Sequence, residues 1–256
     1  MPLTEERAAA TAAPAVRSLL VWGLLAGLVG GVLAFGFASA FGEPSVAAAI
    51  GIEEAGAEGH SHDAGHSHGE EEVVSRSFQA TGGLAIGTLA YGVGLGGLFG
   101  LAMAFAYGRI GSASPRGTVA AVLGIGYLAV VLVPFLTYPA NPPAVGSGDT
   151  IGERTGLFFG VLGISLVLAV AAVAVARALA DRVGGWTATL VAGVGYLLLV
   201  TVVAKLLPTI QEVPAGFPGA VLWEFRIASL GTSAVLWGGI AVVFATLLQR
   251  GLTRTR

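Results

Sequence analysis

The sequence predicts an all-α, polytopic transmembrane helix bundle of six spans, grouped as three two-helix hairpins. Three observations lead there. The 256 residues are 55% hydrophobic and 11% charged, with a mean hydropathy of +0.82, values that belong to a chain dissolved in lipid. Six stretches, 18–41, 80–107, 117–137, 155–176, 183–204 and 227–249, carry no charged residue, and each can cross a hydrocarbon core that needs about 20 apolar residues. The runs are continuously apolar, whereas a closed barrel needs alternation in short segments.

Residues 1–17 form an N-terminal tail and 250–256 a C-terminal one, flanking a membrane domain over 18–249. Span 1 follows Arg17 and ends near Ala38-Ser39-Ala40, a pattern that a signal peptidase could read. Its apolar run exceeds the roughly 7–15 residues of a secretory leader, so the span is expected to be retained. Gly23, Gly27 and Gly31 in span 1, and Gly92, Gly96 and Gly100 in span 2, recur every fourth residue and make flat strips for close helix packing. The denser run Gly92–Gly97 could instead interrupt span 2 and free carbonyls for an ion. Between spans, the connections 108–116 and 177–182 are short. Those at 42–79, 138–154 and 205–226 are long and rich in Pro, Gly and acid.

Arg and Lys set the orientation. With the N-terminus cytoplasmic, nine of the 13 lie inside and four outside, which favours both termini inside. Twelve of the 15 acidic residues then lie outside, giving the outer segments −8 and the inner ones +6. Such an outer face concentrates cations and offers nothing to nucleic acid.

All four histidines fall in the palindromic run Gly59-His60-Ser61-His62-Asp63-Ala64-Gly65-His66-Ser67-His68-Gly69. In extended backbone residues i and i+2 point the same way, so each His-x-His pair can offer two imidazoles to one ion. Gly65 lets the pairs fold together, and Asp63 adds a carboxylate. Four neutral nitrogens suit borderline divalent ions such as Co²⁺, Ni²⁺, Zn²⁺ or Cu²⁺, and ligand type alone does not choose among them. A flexible loop must first be ordered, at roughly 1–2 kcal/mol per residue. The run therefore reads as a capture loop, with the ion path elsewhere and no tightly bound cofactor.

The second long loop, Tyr138-Pro139-Ala140-Asn141-Pro142-Pro143, leads into Asp149-Thr150-Ile151-Gly152-Glu153-Arg154-Thr155; its prolines make a stiff lip. The third holds Glu212-Val213-Pro214 and runs into Trp223-Glu224-Phe225-Arg226. Each long loop ends with an arginine, Arg76, Arg154 or Arg226, near a helix start, where the macrodipole disfavours it. These are expected either to pair with nearby carboxylates around a wet vestibule or to anchor helix ends at the interface. Glu43, Glu53, Glu54, Asn141, Asp149, Glu153, Arg154, Glu212, Glu224 and Arg226 are the candidate outer-mouth residues. Glu153, Arg154, Glu224 and Arg226 are expected to meet there.

Together these outer segments, with Phe41-Gly42-Glu43-Pro44 through Glu53-Glu54, resemble the CbtA family of cobalt transporter subunits, over about residues 17 to 247. The resemblance implies an integral membrane protein of a prokaryotic cobalt uptake system serving cobalamin synthesis. It also implies a small single-span partner, CbtB, with its own histidine motif. No transport residues come with the family.

Other chemistries find no support. The chain has no cysteine for thiolate metal sites or disulfides, no P-loop and no His-Glu-x-x-His. No Asp, Glu, His, Lys or Arg lies within a span, so an ion path would use carbonyls and hydroxyls such as those of Thr88, Ser165, Thr201, Thr232 and Ser233, or a partner's groups. Two functions remain: subunit of a divalent-metal importer, or a membrane-bound metal sensor or metallochaperone that binds ions without moving them.

Overall fold

A computed structural model describes residues 14–59, 75–109 and 114–254, and every regular element among them is helical. Six segments are long and apolar enough to cross a membrane: Val16–Gly56, Arg76–Ala106, Pro115–Thr137, Gly148–Val183, Gly185–Leu206 and Gly219–Thr253. They correspond one for one to the charge-free stretches.

Where the helices outrun those stretches, local chemistry explains it. Helix α1 (Val16–Phe37) passes through a π-turn at Ala38–Gly42 into α2 (Glu43–Gly59), so the expected loop after residue 41 is helical at its start. Ala47, Ala48, Ala49, Glu53, Glu54 and Ala55 favour this, being strong helix formers. Pro44 explains the π-turn. It has no N–H to give the Ala40 carbonyl and its ring crowds that group, so the chain absorbs one extra residue and Glu43 N–H reaches back to Ala38. The same device recurs between α5 (Pro115–Tyr127) and α6 (Val133–Thr137), where a π-turn at Leu128–Leu132 precedes Pro134 and Val133 N–H bonds Leu128. A third π-turn, Gln79–Gly83, joins the short α3 (Arg76–Phe78) to α4 (Leu84–Ala106). Helix α4 is continuous through Gly92–Gly97, so that run does not interrupt it.

Helix α7 (Ile151–Val183) absorbs the expected connection 177–182, and Gly184 alone, at φ +82, makes the turn into α8 (Gly185–Leu206). A side chain there would strain the backbone. Helix α9 (Gly219–Arg254) starts directly after Pro218, which places Trp223, Glu224 and Arg226 within its first two turns.

The chain divides into two compact units, Met1–Leu123 with Ile227–Arg256, and Gly124–Arg226. This cuts across the grouping into three sequential hairpins, because the last span belongs with the first two. In the first unit α1 runs antiparallel to α4 with its glycine strip against the other: Gly23 meets Gly96 and Gly100, Gly27 meets Gly92 and Gly96, and Gly31 meets Thr88 and Leu89. Both strips therefore serve packing, with backbone against backbone. The adjacent face of α1 takes α9, where Gly30 abuts Leu236 and Ile240, and Phe37 lies over Gly231. Leu236, Ile240, Phe244 and Leu248, four residues apart on α9, are all buried, and Phe244 meets Phe99 of α4 edge-on with ring centroids 4.9 Å apart.

In the second unit Ala129, Val133, Val161, Ala169, Tyr196 and Val200 form the core. Ser165 and Tyr196, both buried, share a 2.7 Å hydroxyl hydrogen bond that ties α7 to α8. A shallow crevice of about 150 Å³ beside Tyr196 is lined by Ile125, Leu128, Ala169 and Ala172 among others and is almost wholly apolar, which does not suit a cation.

Candidate functional site

The second long loop is folded down and clamped. Tyr138, just past α6, donates its hydroxyl to the Pro208 carbonyl at 2.8 Å. Ala144 and Gly146 take positive φ values of 65° and 114°, which turn the chain toward Ser147. Arg154, in the first turn of α7, folds back across Gly146 so closely that any Cβ there would strike the guanidinium. Its Nη2 donates to the Ser147 carbonyl at 3.0 Å, and its Nε lies 3.3 Å from Glu212 Oε2. That Nε makes no hydrogen bond among the described residues, so the contact with Glu212 is a coulombic one. Ser147 N–H donates to the same Glu212 oxygen, at 3.3 Å.

Glu212 is thus favoured as the carboxylate. The neighbouring Thr150 hydroxyl, then the Ser147 N–H and the Arg154 charge, hold its pKa below the ordinary 4.5 against a partial desolvation that pushes up. Desolvation raises the Tyr138 phenol, and the negative charge of Glu153 raises it further. Arg226, in the second turn of α9, reaches the same loop. Its Nε donates to the Ala140 carbonyl at 3.2 Å and its Nη2 to Asn141 Oδ1 at 2.9 Å.

In the other unit Arg76 Nη2 meets Glu43 Oε2 at 2.5 Å, with both side chains partly covered. Each of the three arginines therefore has an oxygen partner from another segment. For Arg154 the ion-pair partner is Glu212, not the adjacent Glu153; for Arg226 it is an amide and a carbonyl, not Glu224. Asp149, Glu153 and Glu224 are exposed, as are Glu53 and Glu54 on α2. Among the described residues no three His, Asp or Glu side chains stand together to hold a metal. His60, His62, Asp63, His66 and His68 lie outside the described residues.

The sequence reading missed Ser147, Thr150 and Gly146 as the clamp, and Ser39 in the π-turn. Pro44 and Pro134 were the available signals for two of the π-turns, since a proline within a helix withholds its N–H and crowds the carbonyl four residues before it, and each π-turn ends two residues ahead of its proline. The clamp had no such local mark, because Glu212 reaches it through tertiary folding.

No curated protein and no solved structure matches this chain. A family model does, under the description "Probable cobalt transporter subunit (CbtA)", over residues 16–249. That interval opens at the first residue of α1 and closes within the last turns of α9, taking in all six spans, the proline lip and every arginine clamp. The chain belongs to the CbtA family of probable cobalt transporter subunits.

Proposed function

We propose that the chain is the membrane subunit of a divalent-metal importer whose cargo is cobalt, and that it gathers cations at an acidic, histidine-rich outer face. Membership of the family is the observation that carries this reading. The long loops hold twelve carboxylates and all four histidines, which supports the outer face as the collecting side. Cobalt is cargo, not a resident cofactor; nickel and zinc compete for the same ligand types. The charge-free stretches of the spans carry no carboxylate, which leaves room for a small single-span CbtB-like subunit to complete the path. Supply of cobalt for cobalamin synthesis in a prokaryotic plasma membrane is the setting that fits, with no catalysis by this chain.

Accumulation of ⁵⁷Co by cells with and without the chain, with nickel and zinc as competitors, tests the reading. Metal-dependent uptake into sealed vesicles separates import from a sensor or metallochaperone, which would bind metal and move none.

Orientation is checked independently. The chain has no cysteine, so single Ala64→Cys, Gly148→Cys and Gly216→Cys variants give labelling free of background. They are expected to react with an impermeant maleimide in intact cells, whereas Thr253→Cys is not. Labelling of Thr253→Cys from outside would reverse the topology.

Replacing His60, His62, His66 and His68 together by alanine is expected to slow uptake several-fold at low cobalt and hardly at all at saturation, since a capture loop raises local supply without forming the path. Imidazole binds a metal only when neutral, so metal contact at the loop should fade as pH falls through about 6.5. An unchanged metal titration in the quadruple variant would reduce the loop to a spacer.

A further inference from the structure

The hydroxyls of the spans almost all turn back onto their own helix: Thr88 donates to Leu84, Thr137 to Val133, Thr201 to Leu197, Thr232 to Ala228 and Thr246 to Val242. Such back-bonding is how a hydroxyl is satisfied where water is absent. Ser39 differs. Its Oγ is buried and has no hydrogen-bond partner among the described residues. A buried hydroxyl left so is destabilising, because it has given up water and gained no partner in return.

The Ser39 carbonyl is short of donors for a separate reason. In a regular helix it would accept from Glu43 N–H, but that group bonds Ala38; the next residue along is Pro44, which has no N–H. Neither the i+4 nor the i+5 amide serves it. One residue therefore presents two oxygens, hydroxyl and carbonyl, that its own helix does not use.

Helix register shows what lies opposite. Gly31 faces Thr88, and Glu43 pairs with Arg76; twelve residues separate the two contacts on each helix. A π-turn in one helix alone would slip that register. The match holds because the π-turn at Ala38–Gly42 is level with the one at Gln79–Gly83. The two widened turns thus lie at one depth, immediately below the Glu43–Arg76 ion pair. Phe37 and Phe41, whose rings lie 4.7 Å apart, border one turn, and Phe78 covers Gly82 in the other.

We infer that, within the import proposed above, the π-turn at Ala38–Gly42 forms the first oxygen-ligand station for a partly dehydrated divalent cation, with the Ser39 hydroxyl and carbonyl as ligands. Neutral oxygens hold a borderline ion such as Co²⁺ weakly. Weak holding is what a transit step requires, since an ion must leave as readily as it enters. Unwound backbone is tolerated at membrane depth where it lines such a path.

Two measurements on the full chain decide it. Ser39→Ala should cut ⁵⁷Co uptake at saturating cobalt by about tenfold, the scale of one lost contact to a charged group, with an unchanged amount of protein in the membrane. The four-histidine variant, by contrast, loses uptake only at low cobalt. Separately, Ser39→Cys should react from outside with the cationic thiol reagent MTSET, while Gly36→Cys, exposed with no atom near its Cβ position, should not react. Wild-type uptake by Ser39→Ala, or an Ser39→Cys variant as inert as Gly36→Cys, overturns the station and leaves Ser39 a packing residue. If the unmodified chain itself takes up no cobalt, the import reading falls, and the thiol reaction still decides whether water and cations reach the π-turn.

Discussion

Gly96→Val is expected to lose most of the folded protein from the membrane. An added Cβ at Gly96 would lie 2.7 Å from the Gly27 Cα and nearer still to the Gly23 carbonyl, with helix backbone on both sides and no side chain able to move aside. Helices α1 and α4 would have to separate along the whole seam. Overpacking of this kind costs roughly 3 kcal/mol. Gly94, two residues away on the same helix, has nothing within 4 Å of its Cβ position. Gly94→Ala should therefore be neutral, or stabilising by up to about 1 kcal/mol through helix propensity. Thermal melting of detergent-solubilised protein, followed by size-exclusion chromatography, reads both. Equal melting of Gly96→Val and wild type would mean that the glycine strips do not form the seam.

Arg154→Ala should release the lip over α7. The substitution removes the donor to the Ser147 carbonyl and leaves Glu212 facing its remaining partners without a cation. A fall in melting temperature of about 2–4 °C is expected. Restoring neutrality with Glu212→Gln should recover part of it, and Glu153→Gln should not, because Glu153 is not the ion-pair partner. The pH dependence has a fixed sign. The pKa of Glu212 is lowered in the folded chain, so its stabilising contribution is complete above the ordinary value of 4.5 and is lost as pH falls below 4.5 through the lowered value. The wild-type lip should accordingly loosen in acid over that window, while Glu212→Gln shows no such transition. Recovery by Glu153→Gln in place of Glu212→Gln would reassign the clamp.

The six spans were legible because lipid leaves a crude signature: a run without charge must be buried in something apolar, and its length then fixes a crossing. The glycine strips were legible for a similar reason, since spacing by four puts Gly23, Gly27 and Gly31 on one line of one helix. Helix α2 was not, because Glu53 and Glu54 look like loop polarity when burial is the only guide, although their propensity is helical. The partners of Arg154 and Arg226 were hidden for a different reason. An adjacent carboxylate such as Glu153 is near in sequence, but successive residues of a helix point about 100° apart, whereas Glu212 arrives on a separate loop. The histidine run shows in the sequence only its ligand types and spacing, and it lies outside the described residues.

The placement of α9 against α1 has a consequence for synthesis. The Gly30 face of α1 is completed by Leu236, Gly239 and Ile240, which leave the ribosome about 200 residues after it. During that interval α1 and α4 can zip along their glycines as a local hairpin, but the neighbouring face waits, covered only by lipid. Closing it is a contact of very high sequence separation, a kind that is slow to form. A chain broken off between residues 207 and 219 would keep five hydrophobic crossings and still leave the Gly30 face of α1 without its protein partner.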